Sequence, residues 1–154
     1  MLNKPVYIHY GSNVFHTPKP IMNCMPCPFT KPSGGLWASR KDGEETWKDW
    51  CEAEKFRLDS FDKYFEFTLK DDARVLTLSE RENLDDLPML FGEESPVRDP
   101  YRTVYLDFEK LMETYDAVEV TDIGLLYFAL YGWDCNSILV MNPDIVEVID
   151  KEDL

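Results

Sequence analysis

Six of the ten prolines in this chain fall between Pro5 and Pro32. Proline locks φ and lacks a backbone N–H, so that stretch can be neither helix interior nor central strand and must run as extended loop. Regular structure in the first forty residues is therefore confined to the two ends of the loop. Val6-Tyr7-Ile8-His9-Tyr10 is β-branched and aromatic and is stopped by Gly11-Ser12-Asn13, which reads as a short strand and a turn. Gly34-Gly35 opens a second short strand, Leu36-Trp37-Ala38-Ser39.

Beyond the loop the pattern becomes mixed. Residues 42–58 read as a helix, with Asp42 as N-cap, Glu45 three residues on, and Trp47, Trp50, Cys51 and Leu58 on one face. Tyr64–Leu69 and residues 74–79 read as strands around the polar Lys70-Asp71-Asp72 turn. Residues 107–115 form a second amphipathic pattern, capped by Asp107, with Phe108, Leu111, Met112 and Tyr115 on its apolar side. Residues 117–121, 137–141 and 146–149 read as further strands. Runs of short strands with segregated helices define an α+β fold. The length, 154 residues with 44% hydrophobic side chains, suits a single domain over 1–154 and excludes disorder.

The longest mostly apolar run, residues 123–133, is about half the roughly twenty residues that a membrane span requires. With no apolar leader at the N-terminus, the expectation is a cytoplasmic protein without a membrane partner. Four cysteines (Cys24, Cys27, Cys51, Cys135) are too few for a disulfide scaffold. Cys24-Met25-Pro26-Cys27 has the spacing of half a zinc site but no second pair, so loop thiols and no metal are expected.

Charge is distributed unevenly. The net charge is −14, which argues against a nucleic-acid partner, yet all 30 acidic residues lie from Asp42 onward. The acid-free segment carries Lys4, Lys19, Lys31, Arg40 and Lys41. Either it is a loop-rich leader that happens to be basic, or it faces an anionic ligand such as a dinucleotide pyrophosphate, with Lys31, Arg40 or Lys41 near the phosphates.

Three stretches, His9-Tyr10-Gly11-Ser12, Gly35-Leu36-Trp37 and Trp50-Cys51, are followed near the C-terminus by Asn136-Ser137-Ile138-Leu139-Val140. In this order they resemble the ADP-ribosyltransferase superfamily, in its diphtheria-toxin-like and poly(ADP-ribose) polymerase branch. The resemblance implies a split β-sandwich that binds NAD as substrate. By that likeness His9 takes a ribose hydroxyl, Gly11 pairs with the carboxamide, and Trp37 and Trp50 enclose the nicotinamide ring. Ser12 and Ser39 serve as polar helpers.

Where the family carries its catalytic Glu, the alignment puts Ser137. A hydroxyl can hydrogen-bond ribose but supplies no negative charge, so Glu119 and Asp134 are the candidate acids. Glu119 alternates with Val118 and Val120, which also fits an ordinary solvent-facing strand position. Members of the family without the Glu are known as mono-transferases, RNA phosphotransferase relatives or inert binders. The expected function is mono-ADP-ribosyl transfer from NAD to a protein or small-molecule acceptor. The alternatives are an inactive nucleotide- or partner-binding module, and an acidic structural protein.

Overall fold

The computed structural model describes residues 4–23, 30–90 and 103–150. It is a mixed α+β protein built on seven short strands: β1 (Tyr7–Tyr10), β2 (Leu36–Arg40), β3 (Tyr64–Leu69), β4 (Val75–Leu78), β5 (Ala117–Val120), β6 (Ser137–Val140) and β7 (Val146–Ile149). They lie in the order β4-β5-β6-β2-β1-β3-β7, antiparallel at every pairing except β4 with β5. Tyr64–Leu69 and the strand that follows it are neighbours in sequence but not in space. β3 pairs with β1 and β7, whereas β4 sits at the far edge.

The central strands β5 and β6 are buried along their whole length. Covered on both faces, they show near-continuous apolar sequence rather than alternation. Val118, Val120 and Leu139 point into one core with Leu78, Phe108, Leu126 and Trp133. Ala117, Ile138 and Val140 point into the other, with Tyr7, Phe65 and Phe67.

Among the described residues three short α-helices attach to the sheet. The first, α1 (Trp47–Glu54), starts five residues later than the sequence pattern suggests. Glu45 sits at φ 48°, a left-handed conformation through which a helix cannot run. The cap is Thr46, whose hydroxyl accepts from the Asp49 N–H while the Asp49 carboxylate accepts from the Thr46 N–H. The helix ends at Lys55, again left-handed, and Leu58 lies beyond it in a separate 3-10 turn, 53% exposed. The second helix, α2 (Phe108–Leu111), is a single turn capped by Asp107 as expected, and residues 112–114 continue only as turns. The third, α3 (Ile123–Leu126), opens the apolar run, whose Ile123, Leu126, Leu130 and Trp133 face inward at helical spacing. Among the described residues no helix is long and apolar enough to cross a membrane.

The feature that positions a site is the divided loyalty of β2. Its first three residues, Leu36, Trp37 and Ala38, pair with β6; its last two, Ser39 and Arg40, pair with β1. Ile8↔Ser39 is the final rung between β1 and β2. Past it β1 stays with β3 through Tyr10↔Tyr64 while β2 stays with β6, and the two strands part.

Candidate functional site

A cavity of about 400 Å³ fills the gap between the parted strands. That is within the roughly 300–1,000 Å³ of small-molecule sites. β1 contributes Ile8, His9 and Tyr10, and β2 contributes Trp37, Ala38 and Ser39. Lys31 and Pro32 come from the proline-rich loop, Trp47 and Arg57 from the two ends of the α1 region, and Trp133, Asp134, Cys135 and Ser137 from the approach to β6. The acid-free first 41 residues thus supply eight of the fourteen lining residues, and the lining holds one carboxylate, Asp134.

His9 spans the gap. Its Nδ1 lies 2.6 Å from the Trp37 carbonyl oxygen. A carbonyl only accepts, so Nδ1 carries the proton and donates, and in the neutral ring Nε2 is left as an acceptor. The imidazole replaces the ladder bond that is lost where the strands separate, and its ring rests against Phe65 at 5.1 Å.

Trp37 is held by Trp133, whose ring meets it edge-on at 4.8 Å and 70°. Trp133 is in turn fixed by its indole N–H, which donates to the Ser137 hydroxyl at 2.8 Å. Ser137 donates onward to the Cys135 carbonyl. Both hydrogen-bonding directions of Ser137 are therefore committed inside the protein, and its work is to orient Trp133. The same holds for Ser39. Its hydroxyl accepts from the Trp47 N–H at 3.0 Å and donates to the Asn136 carbonyl at 3.1 Å, tying β2 to the start of α1 and the approach to β6. Burial pushes the Cys135 thiol up to about 11, so it stays protonated at neutral pH.

Asp134 and Lys31 form an ion pair in the cavity lining at 3.6 Å, with side chains 32% and 34% exposed. The Lys31 ammonium also stands 5.7 Å from the centre of the Trp37 ring.

Several expected site residues lie elsewhere. Gly11 does not line the cavity, and its N–H donates to the Lys63 carbonyl at 2.8 Å, so that donor is not available to a carboxamide. Ser12 closes a local turn with both the N–H and the carbonyl of Val14. Trp50 stacks on the outer side of Trp47 at 5.2 Å and packs on Phe56, and the ring that reaches the cavity is Trp47. The delayed helix start explains the exchange. Trp47 is the first helical residue, bonded to Ser39 at the cavity wall, and Trp50 follows one turn farther out.

Glu119 is neither solvent-facing nor in this cavity. It is 4% exposed and borders a different cavity of about 340 Å³ with Arg40 and Tyr7. Arg40 grips it with two bonds, Nε at 2.8 Å and Nη2 at 3.0 Å, and the Tyr7 hydroxyl donates to it at 3.0 Å. Burial and the adjacent Glu119 charge raise the Tyr7 hydroxyl above the usual tyrosine range, and the bond to Glu119 raises Arg40 as well. Lys41 is likewise occupied, by Glu66 at 2.9 Å. Of the three cations placed near phosphates by the sequence, Lys31 alone lines the main cavity.

No protein-family model, curated protein or solved structure matches this chain. The cavity's own chemistry is what remains to read. It offers two accessible indole rings, an imidazole of defined tautomer, a carboxylate and two cations. Among the described residues no three His, Cys, Asp or Glu side chains gather as metal ligands, and Cys24 and Cys27 lie outside the described residues.

Tyr10, Trp47, Arg57 and Trp133 are lining residues that the sequence motifs did not single out for the cavity. Trp133-Asp134-Cys135, one residue short of a strand that begins at Ser137, held a signal. An aromatic and an acid placed where a buried strand starts are delivered to the end of the sheet.

Proposed function

We propose that this chain binds the nicotinamide–ribose end of NAD between β1 and β2 and transfers ADP-ribose to a protein or small-molecule acceptor, on an ADP-ribosyltransferase-like split sheet. The observation that carries the reading is the meeting of His9, Trp37 and Asp134, drawn from three distant parts of the chain, on one cavity where the sheet parts. The indoles of Trp37 and Trp47 suit a flat, cationic ring. The free nitrogen of His9 suits a ribose hydroxyl. Asp134 supplies the negative charge that an oxocarbenium-like centre needs. In the reaction the glycosidic C–N bond breaks with its electron pair going to nicotinamide, which leaves neutral. The acceptor's lone pair then bonds to the same ribose carbon as the acceptor loses a proton. Holding the donor in place and shielding the centre from water are the protein's contributions.

The test is release of nicotinamide from NAD, measured together with the shift in thermal midpoint that NAD produces. The wild-type chain is expected to give both. Absence of both would sink the reading. A shift without turnover favours an inactive NAD-holding module, and one observation leans that way: the Ser137 hydroxyl, which the resemblance aligns with the family's Glu, already accepts from Trp133 and donates to the Cys135 carbonyl.

A further inference from the structure

Lys31 has two partners that would serve any flat cation equally well: a tryptophan face at 5.7 Å and a carboxylate at 3.6 Å. We infer that the Trp37 face and Asp134 form a seat for a flat organic cation, and that Lys31 fills this seat in the unliganded protein as a built-in competitor. The inference rests on reading the cavity as the ring-binding end of the NAD site, and it names how that site is regulated and what ring charge it selects.

The seat is rigid on all three sides. Trp37 keeps its plane because the buried Trp133 abuts it edge-on and is itself tethered to Ser137. Asp134 follows Trp133 directly in the chain. The loop that carries Lys31 is tied down one residue earlier, where both the N–H and the hydroxyl of Thr30 donate to the Tyr131 carbonyl at 3.1 and 3.0 Å. Pro32 stiffens the other side. The ammonium is thus delivered to the seat by a fixed backbone rather than by a free loop.

A cation over an indole face and beside a carboxylate is bound by the ring quadrupole and by direct charge attraction. A pyridinium ring draws on the same two sources and adds stacking area. Both cannot use one face together, so the ligand must displace Lys31. An uncharged ring of the same shape has no carboxylate attraction with which to compete. The cavity is thereby selective for the oxidised, cationic form of a nicotinamide ring over an uncharged one. The displaced ammonium becomes available to the ligand's phosphates.

Binding of 1-methylnicotinamide, a pyridinium without phosphates, tests this without the dinucleotide. Its affinity and that of uncharged nicotinamide are measured by tryptophan fluorescence and calorimetry for the wild-type chain, Lys31→Met and Asp134→Asn. Lys31→Gln serves as a second charge-removing variant should Lys31→Met fold poorly. Removing the Lys31 charge is expected to tighten 1-methylnicotinamide binding about tenfold and nicotinamide, which gains the freed face but no relief from charge repulsion, by clearly less, and Asp134→Asn is expected to weaken the cation. Unchanged, weaker or undetectable binding of the cation to both Lys31 variants overturns the inference. So does an equal gain for nicotinamide, which would mean that the substitution only made room. Wild-type NAD turnover is read separately: a chain that consumes no NAD but shows the tenfold gain keeps the cation seat and loses the transferase reading.

Discussion

Two carboxylates near the two ends of β2 meet opposite fates. Beside Arg40, at the end where β1 and β2 still pair, Glu119 is sealed under a two-pronged guanidinium and a tyrosine hydroxyl. Near Trp37, where the strands have parted, Asp134 faces a cavity and touches a single, longer-range cation. The difference separates an acid that holds the sheet together from one with capacity left for a ligand. A buried charge must be satisfied in full or it destabilises the fold, so a saturated carboxylate is a structural one. A half-exposed, singly paired carboxylate contributes little to stability and can change partners.

The contrast is broken most directly at the sealed end. Glu119→Gln keeps the shape and removes the charge from under Arg40, which is 46% exposed and can rehydrate. The expected cost is about 2–3 kcal/mol. In a chain of this size that lowers the thermal midpoint by roughly 5–10 °C. An unchanged midpoint would show that the clamp contributes nothing. NAD turnover by the folded fraction should survive.

At the open end the pattern inverts. Asp134→Asn should leave the unfolding free energy within about 0.5 kcal/mol of wild type. Turnover should fall about tenfold or more, which is roughly 1.4 kcal/mol of barrier. If Asp134→Asn costs stability and spares turnover, the assignments of the two acids are interchanged.

Acid sharpens the comparison through a third carboxylate. The Arg74 side chain, then the Arg74 N–H and Asn142, hold Asp116 down at about 2, against burial that pushes it up. A pKa depressed in the folded state means stability that is complete above the unfolded value near 3.8 and is lost as pH falls through about 2. Arg74 is half-exposed and solvated, so the expected contribution is about 1 kcal/mol. Denaturant midpoints of wild type should drop between pH 4 and pH 2, and those of Asp116→Asn should drop less.

The smallest expected effect is an absence of reaction. Cys135 borders the open cavity, yet burial holds its thiol at about 11. Thiolate is then only about one part in several thousand at pH 7.5. Peptide mapping after iodoacetamide treatment of the native chain should find Cys135 unmodified; rapid labelling would mean that the cavity opens far wider than described.

The strands were legible because β-branched and aromatic runs bounded by Gly, Pro and Asn signal them locally. Tyr64–Leu69 and Val146–Ile149 match to the residue, and 6–10, 36–39 and 117–121 come within one. The start of α1 was not legible because two capping patterns overlap. Asp42 with Glu45 and Thr46 with Asp49 are both acceptable locally. The choice between them is tertiary: the Glu45 carbonyl is claimed by the Asn136 N–H, ninety-one residues away, which fixes Glu45 outside the helix. Glu119 misled for a related reason. Val-Glu-Val alternation signals a half-exposed strand only when one face meets water, and β5 is central, with its cation waiting on β2. At the cavity, His9 and Trp37 were marked by short motifs at strand ends. Trp47 and Trp133 were not, because any amphipathic segment needs buried aromatics and nothing in the spacing tells a cavity wall from a core.

The sharing of β2 between two neighbours also limits how relatives of this chain can drift in length. Its five residues run between two fixed points. At one end is Gly35, where a Cβ would come within 2.6 Å of the Leu139 side chain; at the other is the Lys41 N–H, bonded to the Val6 carbonyl. One residue inserted or deleted between them would put every later side chain on the wrong face of one half-sheet while leaving the other half in register. Indels should accumulate in the proline-rich loop before Gly34 and never within 36–40, so the spacing of this segment should outlast its residue identities over evolutionary time.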